Sequence, residues 1–266
     1  MNEPKGAALI TGASAGIGRE LARQFAANGH DVILVARRAD ALRELARELK
    51  SDHGVRASAI ALDLAEPDAP ESLYRRVRQR KLQVDVLVNN AGVSVVRPFA
   101  EATLADHRRV LRINAEALTA LTYLFLGPMR ERGYGRILNV ASIVSFFPTP
   151  HFAVYGATKA YVLSLTEALA AELRGSGVTV SALCPGFVDT DMVRAALADK
   201  SAIARWTSTV NSLDAAAVAR EGYRACMSGK VVHLDRWSNE MLVQWLKLQP
   251  RWLVRRVGAL FARFTE

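Results

Sequence analysis

Cysteine is nearly missing from this 266-residue chain, with Cys184 and Cys226 the only two. The pair suggests no disulfide framework, so a reducing compartment, the cytoplasm, is the expectation. Histidine is almost as scarce. His30, His53, His107, His151 and His233 stand far apart, with no short ligand spacing between any two, and no metal site is expected. No apolar run is long enough to cross a membrane, and MNEPKGAALITG has no signal-peptide layout. The formal net charge is +9, yet no long basic tract or recognition motif accompanies it, so nucleic acid is not an expected partner.

Half of the residues are hydrophobic, which suits a soluble domain with a substantial core. Short β-branched runs, AALI, DVILVA, ASAIAL, VDVLV, RILNVA and TVSAL, alternate with longer amphipathic stretches such as Arg19 to Asn28 and Ala39 to Lys50. Strand alternating with helix predicts an α/β fold, a parallel sheet covered on both faces. After about residue 187 the alternation weakens into a helical excursion, a last strand (VVHL) and an aromatic, basic tail.

TGASAGIG, residues 11–18, follows the first strand and opens a helix. Free backbone N–H groups at such a junction suit a phosphate, and this position points to a dinucleotide. Gly12 permits the tight turn, Gly16 lets backbone approach a pyrophosphate, and Gly18 allows the helix to pack closely on the sheet. Ser14 and Ile17, between them, are counted with the cofactor site. NAD-binding folds place an acidic residue at the end of the second strand to hold the ribose 2′-hydroxyl. Here that position is Ala36, followed by Arg37 and Arg38. Guanidinium groups without a competing carboxylate suit a 2′-phosphate, so NADP(H) is favoured over NAD(H), with Arg37 the stronger candidate.

YGATK, residues 155–159, places Tyr155 and Lys159 on one helical face. A carbonyl that accepts hydride needs a proton donor, and a tyrosine can serve if a neighbouring cation lowers its pKa from about 10. With TGASAGIG, DL at 63–64, NNAG at 89–92, Asn114, Ser142 and PG at 185–186, the set resembles the classical short-chain dehydrogenase/reductase family, in order and spacing, over about residues 5–190.

The resemblance implies one Rossmann-type domain with a seven-stranded, mostly parallel sheet, and reversible hydride transfer between a nicotinamide and an alcohol or carbonyl. It implies Tyr155 as general acid or base and Lys159 as its partner and ribose anchor. Ser142 would orient the substrate oxygen, and Asn114 would support a water relay. Asp63 and Leu64 would contact adenine, and Asn90, Ala91 and Gly92 would line the cofactor near its adenosine ribose. Pro185 to Thr190 would wrap the nicotinamide end, with Gly186 in that stretch and the backbone of Val188 facing the carboxamide. A homodimer or homotetramer is the family's common state.

A catalytic domain over 1–240 is expected, with a substrate lid at 187–212. Met192, Val193, Leu197, Ile203 and Trp206 would offer apolar surface there, with Phe146, Phe147 and Pro148 as the opposite wall. A hydrophobic ketone or 3-oxoacyl substrate is the expectation. The extension 241–266 carries Trp245, Pro250 and Trp252, and then Leu253, Val257, Leu260, Phe261 and Phe264 interleaved with Arg255, Arg256 and Arg263. Pro250 should break it into two helices. It reads as a packing or oligomer interface, or as an amphipathic element on an anionic membrane. The rival functions are an NAD-preferring alcohol dehydrogenase and, from another class, a nucleotide sensor or partner-binding protein. The presence of both Tyr155 and Lys159 counts against the sensor.

Overall fold

The computed structural model describes residues 6–188 and 213–263, the last three by backbone alone. Each apolar run becomes a parallel strand: β1 (Ala7–Thr11), β2 (Val32–Ala36), β3 (Ala57–Ala61), β4 (Val84–Asn89), β5 (Gly135–Val140), β6 (Val178–Cys184) and β7 (Val232–Leu234). They form one seven-stranded sheet in the order β3-β2-β1-β4-β5-β6-β7. The register places Ala8 beside Val32 of β2 and Val86 of β4, in the middle of the sheet.

Helices cover both faces: α1 (Gly16–Ala27), α2 (Ala39–His53), α3 (Ala69–Gln79), α4 (Leu104–Leu111), α5 (Leu118–Glu131), α6 (Ala153–Glu172) and α7 (Ala215–Ser228). This explains why the strands are apolar throughout rather than alternating. Ala8, Ile10, Val32 and Leu34 face Leu21 and Phe25 of α1, Leu42 of α2 and Val218 of α7. Their neighbours Leu9, Ile33 and Val35 face Leu73 of α3 and Leu121 and Phe125 of α5. In α1 the buried set, Gly18, Leu21, Ala22, Phe25 and Ala26, is one stripe at helical spacing. Phe25 is fully enclosed, and truncating it to alanine would cost about 3–5 kcal/mol.

Glycine and cap residues set where helices stop and start. Gly54 ends α2 in the left-handed conformation at φ 68°, and Gly229 ends α7 at φ 70°. Thr103 and Asp106 form a reciprocal capping box at the start of α4. The helical stretch around Asn114 has one irregularity: a π-helical turn, Arg112–Ala117, joins α4 to α5.

A buried polar ladder ties the carboxyl ends of β4 and β5 to the helices. The Asn89 amide donates to Asn139 at 2.9 Å and to Thr122 at 3.0 Å, and Asn139 donates to Thr166 at 2.9 Å. These bonds fix β4 and β5 against α5 and α6. Buried bonds of this kind are strong, and they are set against the cost of the Asn89 Oδ1, which is buried without a partner.

The tail forms α8 (Trp237–Lys247) and α9 (Arg251–Arg263), separated at Pro250 as expected. The boundary drawn between 240 and 241 falls inside α8. Val243, Leu246 and Val254 pack on Ile143 and Phe147, so the tail shares a hydrophobic cluster with the α/β domain.

Candidate active site

Strand order reverses between β1 and β4, and the loops leaving their carboxyl ends diverge, opening the crevice where open α/β sheets bind ligands. A cleft of about 840 Å³ occupies that place. At one end lies the turn between β1 and α1. Gly12 and Gly16 take φ +68° and +51°, a region other residues rarely adopt. A Cβ on Gly18 would stand 2.4 Å from the Gly12 carbonyl oxygen, so helix and turn approach this closely only with glycine there.

The first turn of α1 has no side-chain cap and no acidic residue, and Gly12, Ser14, Gly16, Ile17 and Gly18 line the cleft beside it. An uncapped helix start over a cavity fits a pyrophosphate.

Arg37 and Arg38 line the same end. Arg38 reaches across the turn, donating to the Ser14 carbonyl at 3.0 Å and to its hydroxyl at 3.4 Å. Arg37 is exposed beside Asp63, close enough to act on that carboxylate's charge. Burial works to raise the Asp63 pKa. Hydrogen bonds from Arg109 (2.9 Å) and the Ala65 N–H (3.0 Å) outweigh it and hold the carboxyl below its ordinary range. Leu64 completes this wall.

Thr11 joins the two sides of the crevice. Its hydroxyl accepts from the N–H groups of Asn90 and Ala91, each at 3.0 Å, and donates to the Val88 carbonyl at 3.2 Å. The Asn90 amide donates to the Thr11 carbonyl at 2.9 Å, so its side chain is committed to the turn. Ala91 and Gly92 continue along the cleft.

At the other end, Ser142 leaves β5 and opens a 3-10 turn, Ile143–Phe146, by accepting from the Val144 N–H. It also hydrogen-bonds the Tyr155 phenol. One helical turn on, the Lys159 ammonium lies 5.6 Å from the centre of the Tyr155 ring and donates to the Val140 carbonyl at 2.7 Å. All three side chains line the cleft, with Pro185, Gly186 and Val188 across from them in the loop after β6.

Lys159 and an oxidised nicotinamide together are the cations expected to draw the phenol down, and Lys159 alone does not do so. Burial pushes Tyr155 up to about 12, opposed by the Ser142 hydrogen bond, and pulls Lys159 down to about 8. In a dry wall, desolvation of both groups outweighs the attraction of an ammonium already engaged by a carbonyl.

Asn114 does not line the cleft. Its side chain stands behind the wall, bonded to both backbone groups of Val93 and donating to Thr158 at 3.2 Å. Thr158 in turn donates to the Tyr155 carbonyl at 2.7 Å, and the Asn114–Thr158 bond links the π-helical turn to α6. Phe146, Phe147 and Pro148 do not line it either. Phe147 is buried against α8, Phe146 lies under the Lys247 ammonium, and a Cβ on Gly258 would meet the Pro148 carbonyl at 2.0 Å. That segment is a platform for the tail rather than a substrate wall. Thr190, Met192, Val193, Leu197, Ile203, Trp206 and most of the 187–212 lid lie outside the described residues, as does Phe264.

Thr11, Arg109, Val93 and Thr158 were not among the expected site residues. Thr11 lay in plain view as the first letter of TGASAGIG. The Arg109–Asp63 pair joins residues far apart in sequence and has no local pattern.

Comparison with known proteins agrees with this geometry. The short chain dehydrogenase family model matches residues 6–201. A putative ketoacyl reductase of Streptomyces coelicolor is 42% identical over 191 residues, 70% of this chain and 71% of its own length. Among curated relatives the matched part is 60 to 76% of their length. A short-chain dehydrogenase of Sphingobium yanoikuyae, solved with NADPH, superposes with a TM-score of 0.80 at 30% identity, covering 92% of this chain and 96% of that one. A relative from Burkholderia phymatum, solved with NAD, gives 0.81 at 27% identity, covering 92% and 94%. With its motifs assembled at the switch point of such a sheet, the chain belongs to the classical short-chain dehydrogenase/reductase family of oxidoreductases.

Proposed function

We propose that the protein transfers hydride between NADP(H) and a carbonyl or hydroxyl carbon, working as a reductase on a hydrophobic ketone or 3-oxoacyl compound. The observation that carries the reading is the Ser142–Tyr155–Lys159 cluster, set in one cleft with an uncapped helix start and two arginines. Bound across that cleft, the nicotinamide would supply the hydride. The chain's own groups do the rest. Ser142 donates to the substrate oxygen and orients it. Tyr155, whose burial favours the protonated phenol, gives its proton to that oxygen as negative charge develops there. Lys159 stabilises the phenolate left behind when it carries its charge.

The preference for the phosphorylated cofactor rests on Arg37 and on Ala36 standing where a carboxylate would repel a 2′-phosphate. Relatives have been solved with either dinucleotide, so this is a property of these residues rather than of the family. The substrate class is supported by apolar Val93, Val95, Val96 and Ile113 in the cleft and by the ketoacyl reductase among the relatives. Exposed Leu111, Tyr123 and Tyr161 on the α4–α6 side give self-association a surface.

The deciding experiment follows NADPH oxidation against 3-oxoacyl thioesters, steroids, quinones and small ketones, with Tyr155→Phe alongside. Activity lost in the variant supports the reading. Demonstrated NADPH binding with no turnover of any carbonyl would favour a nucleotide sensor.

A further inference from the structure

The two tail helices have faces of opposite character. Inward, Val243, Leu246 and Val254 close on Ile143 and Phe147, and Gly258 lies against Pro148. That face is satisfied. Outward, Trp237, Met241, Trp245 and Leu248 recur at helical spacing along α8 and past its end, and Trp252 continues onto α9. These five are 46–83% exposed, an unusual density of large apolar side chains for a solvated surface.

The charge around them is mostly positive, with Glu240 of α8 the one exposed carboxylate among the described residues of the two helices. Residues 237–263 contain five basic side chains and one acidic, Glu240. Lys247, Arg251, Arg255 and Arg256 are exposed among the aromatics, and the Arg256 guanidinium sits 5.2 Å from the centre of the Trp252 ring. Tryptophan and arginine mixed on one helical face suit the boundary between lipid headgroups and acyl chains. A second copy of this chain fits less well. A two-fold contact through the face would set its cations opposite their own duplicates, with Glu240 the single carboxylate of the segment to set against five cations. Among the described residues no helix is long and apolar enough to cross a bilayer, so the contact is peripheral.

We propose that the outer face of α8 and α9 docks the protein on an anionic lipid bilayer. The position gives the contact a use. Asp235, just before α8, accepts from the Gly186 N–H at 2.8 Å and from Asn239 of α8 at 2.7 Å. The helix that carries the docking face is thus fastened to a loop that lines the cleft, which would bring a hydrophobic substrate dissolved in the bilayer close to the site. The docking itself stands on the exposed face and its charge, independently of the redox reading.

The test is co-sedimentation of the full-length protein with phosphatidylcholine vesicles, with and without phosphatidylglycerol, at low and high salt. Binding to the anionic vesicles alone, with a blue shift of tryptophan emission and release by salt, is the expected result. Trp245→Ser/Trp252→Ser and Arg255→Glu/Arg256→Glu should each weaken partitioning at least about tenfold with unchanged thermal melting. Failure to pellet, equal binding to neutral vesicles, or wild-type binding by both variants would overturn the proposal. So would loss of an oligomer in the tryptophan variant, seen by light scattering, without any vesicle binding. That outcome would give the face to a second copy.

Discussion

Asn114 holds the peptide of Val93 from both sides, its Oδ1 accepting from the Val93 N–H and its Nδ2 donating to the Val93 carbonyl, each at 2.9 Å. Val93 lines the cleft, so a buried side chain behind the wall sets where the wall stands. Asn114→Leu keeps the volume and strands both backbone groups. The expected cost is about 2–3 kcal/mol, a fall of roughly 5–10 °C in Tm by calorimetry. Unchanged melting would show that the clamp holds nothing.

Tyr155→Phe removes one hydroxyl and leaves the ring among its neighbours. Turnover should drop by about 10²- to 10⁴-fold, the usual worth of a positioned proton donor, while NADPH affinity by fluorescence titration stays within about threefold. A variant that turns over like the parent would remove Tyr155 from the chemistry.

Lys159 and Tyr155 make opposite contributions to stability in alkali. Lys159 is held at about 8 in the fold against 10.5 unfolded, so between those values the unfolded chain binds the extra proton. Stability therefore rises with pH across that window. Tyr155, at about 12 folded against 10.0 unfolded, keeps its proton longer in the fold, and its contribution falls between about pH 10 and 12. Urea titrations of the parent and Lys159→Met at pH 7.5 and 9.5 should show the first slope disappearing in the variant. Parallel curves would mean that Lys159 is not desolvated.

Arg37 and Arg38 should separate in their effects. Arg37→Asp should weaken NADPH at least tenfold and spare NADH, by losing a charge-assisted contact and adding repulsion. Arg38→Ala frees the turn at Ser14 and should weaken both cofactors by a similar factor. Competitive titrations of the two dinucleotides decide it, and NADPH preference surviving Arg37→Asp would place the phosphate elsewhere.

The sheet was legible because being buried on both faces leaves a plain mark. A run such as VILVA has no polar face to hide, and even the short edge strand β7 lay where VVHL stood. Pro250 likewise announced the break between α8 and α9. What escaped depends on a neighbour rather than on local sequence. The π-helical turn at Asn114 changes hydrogen-bond partners without disturbing the apolar spacing. Phe147 looked like a substrate wall because nothing near it showed that α8 would close over it. The Tyr155–Lys159 spacing was visible. Its electrostatics were not, because the balance turns on how dry the wall is and on the Val140 carbonyl.

Thr11 has a mechanical consequence. One hydroxyl pins the backbone of two central strands together at the point where the crevice opens. The width of the crevice is therefore a fixed dimension of the sheet, and a long, floppy ligand must straighten to match it. Most of the ordering entropy of binding then falls on the ligand, and the protein enters the encounter already shaped.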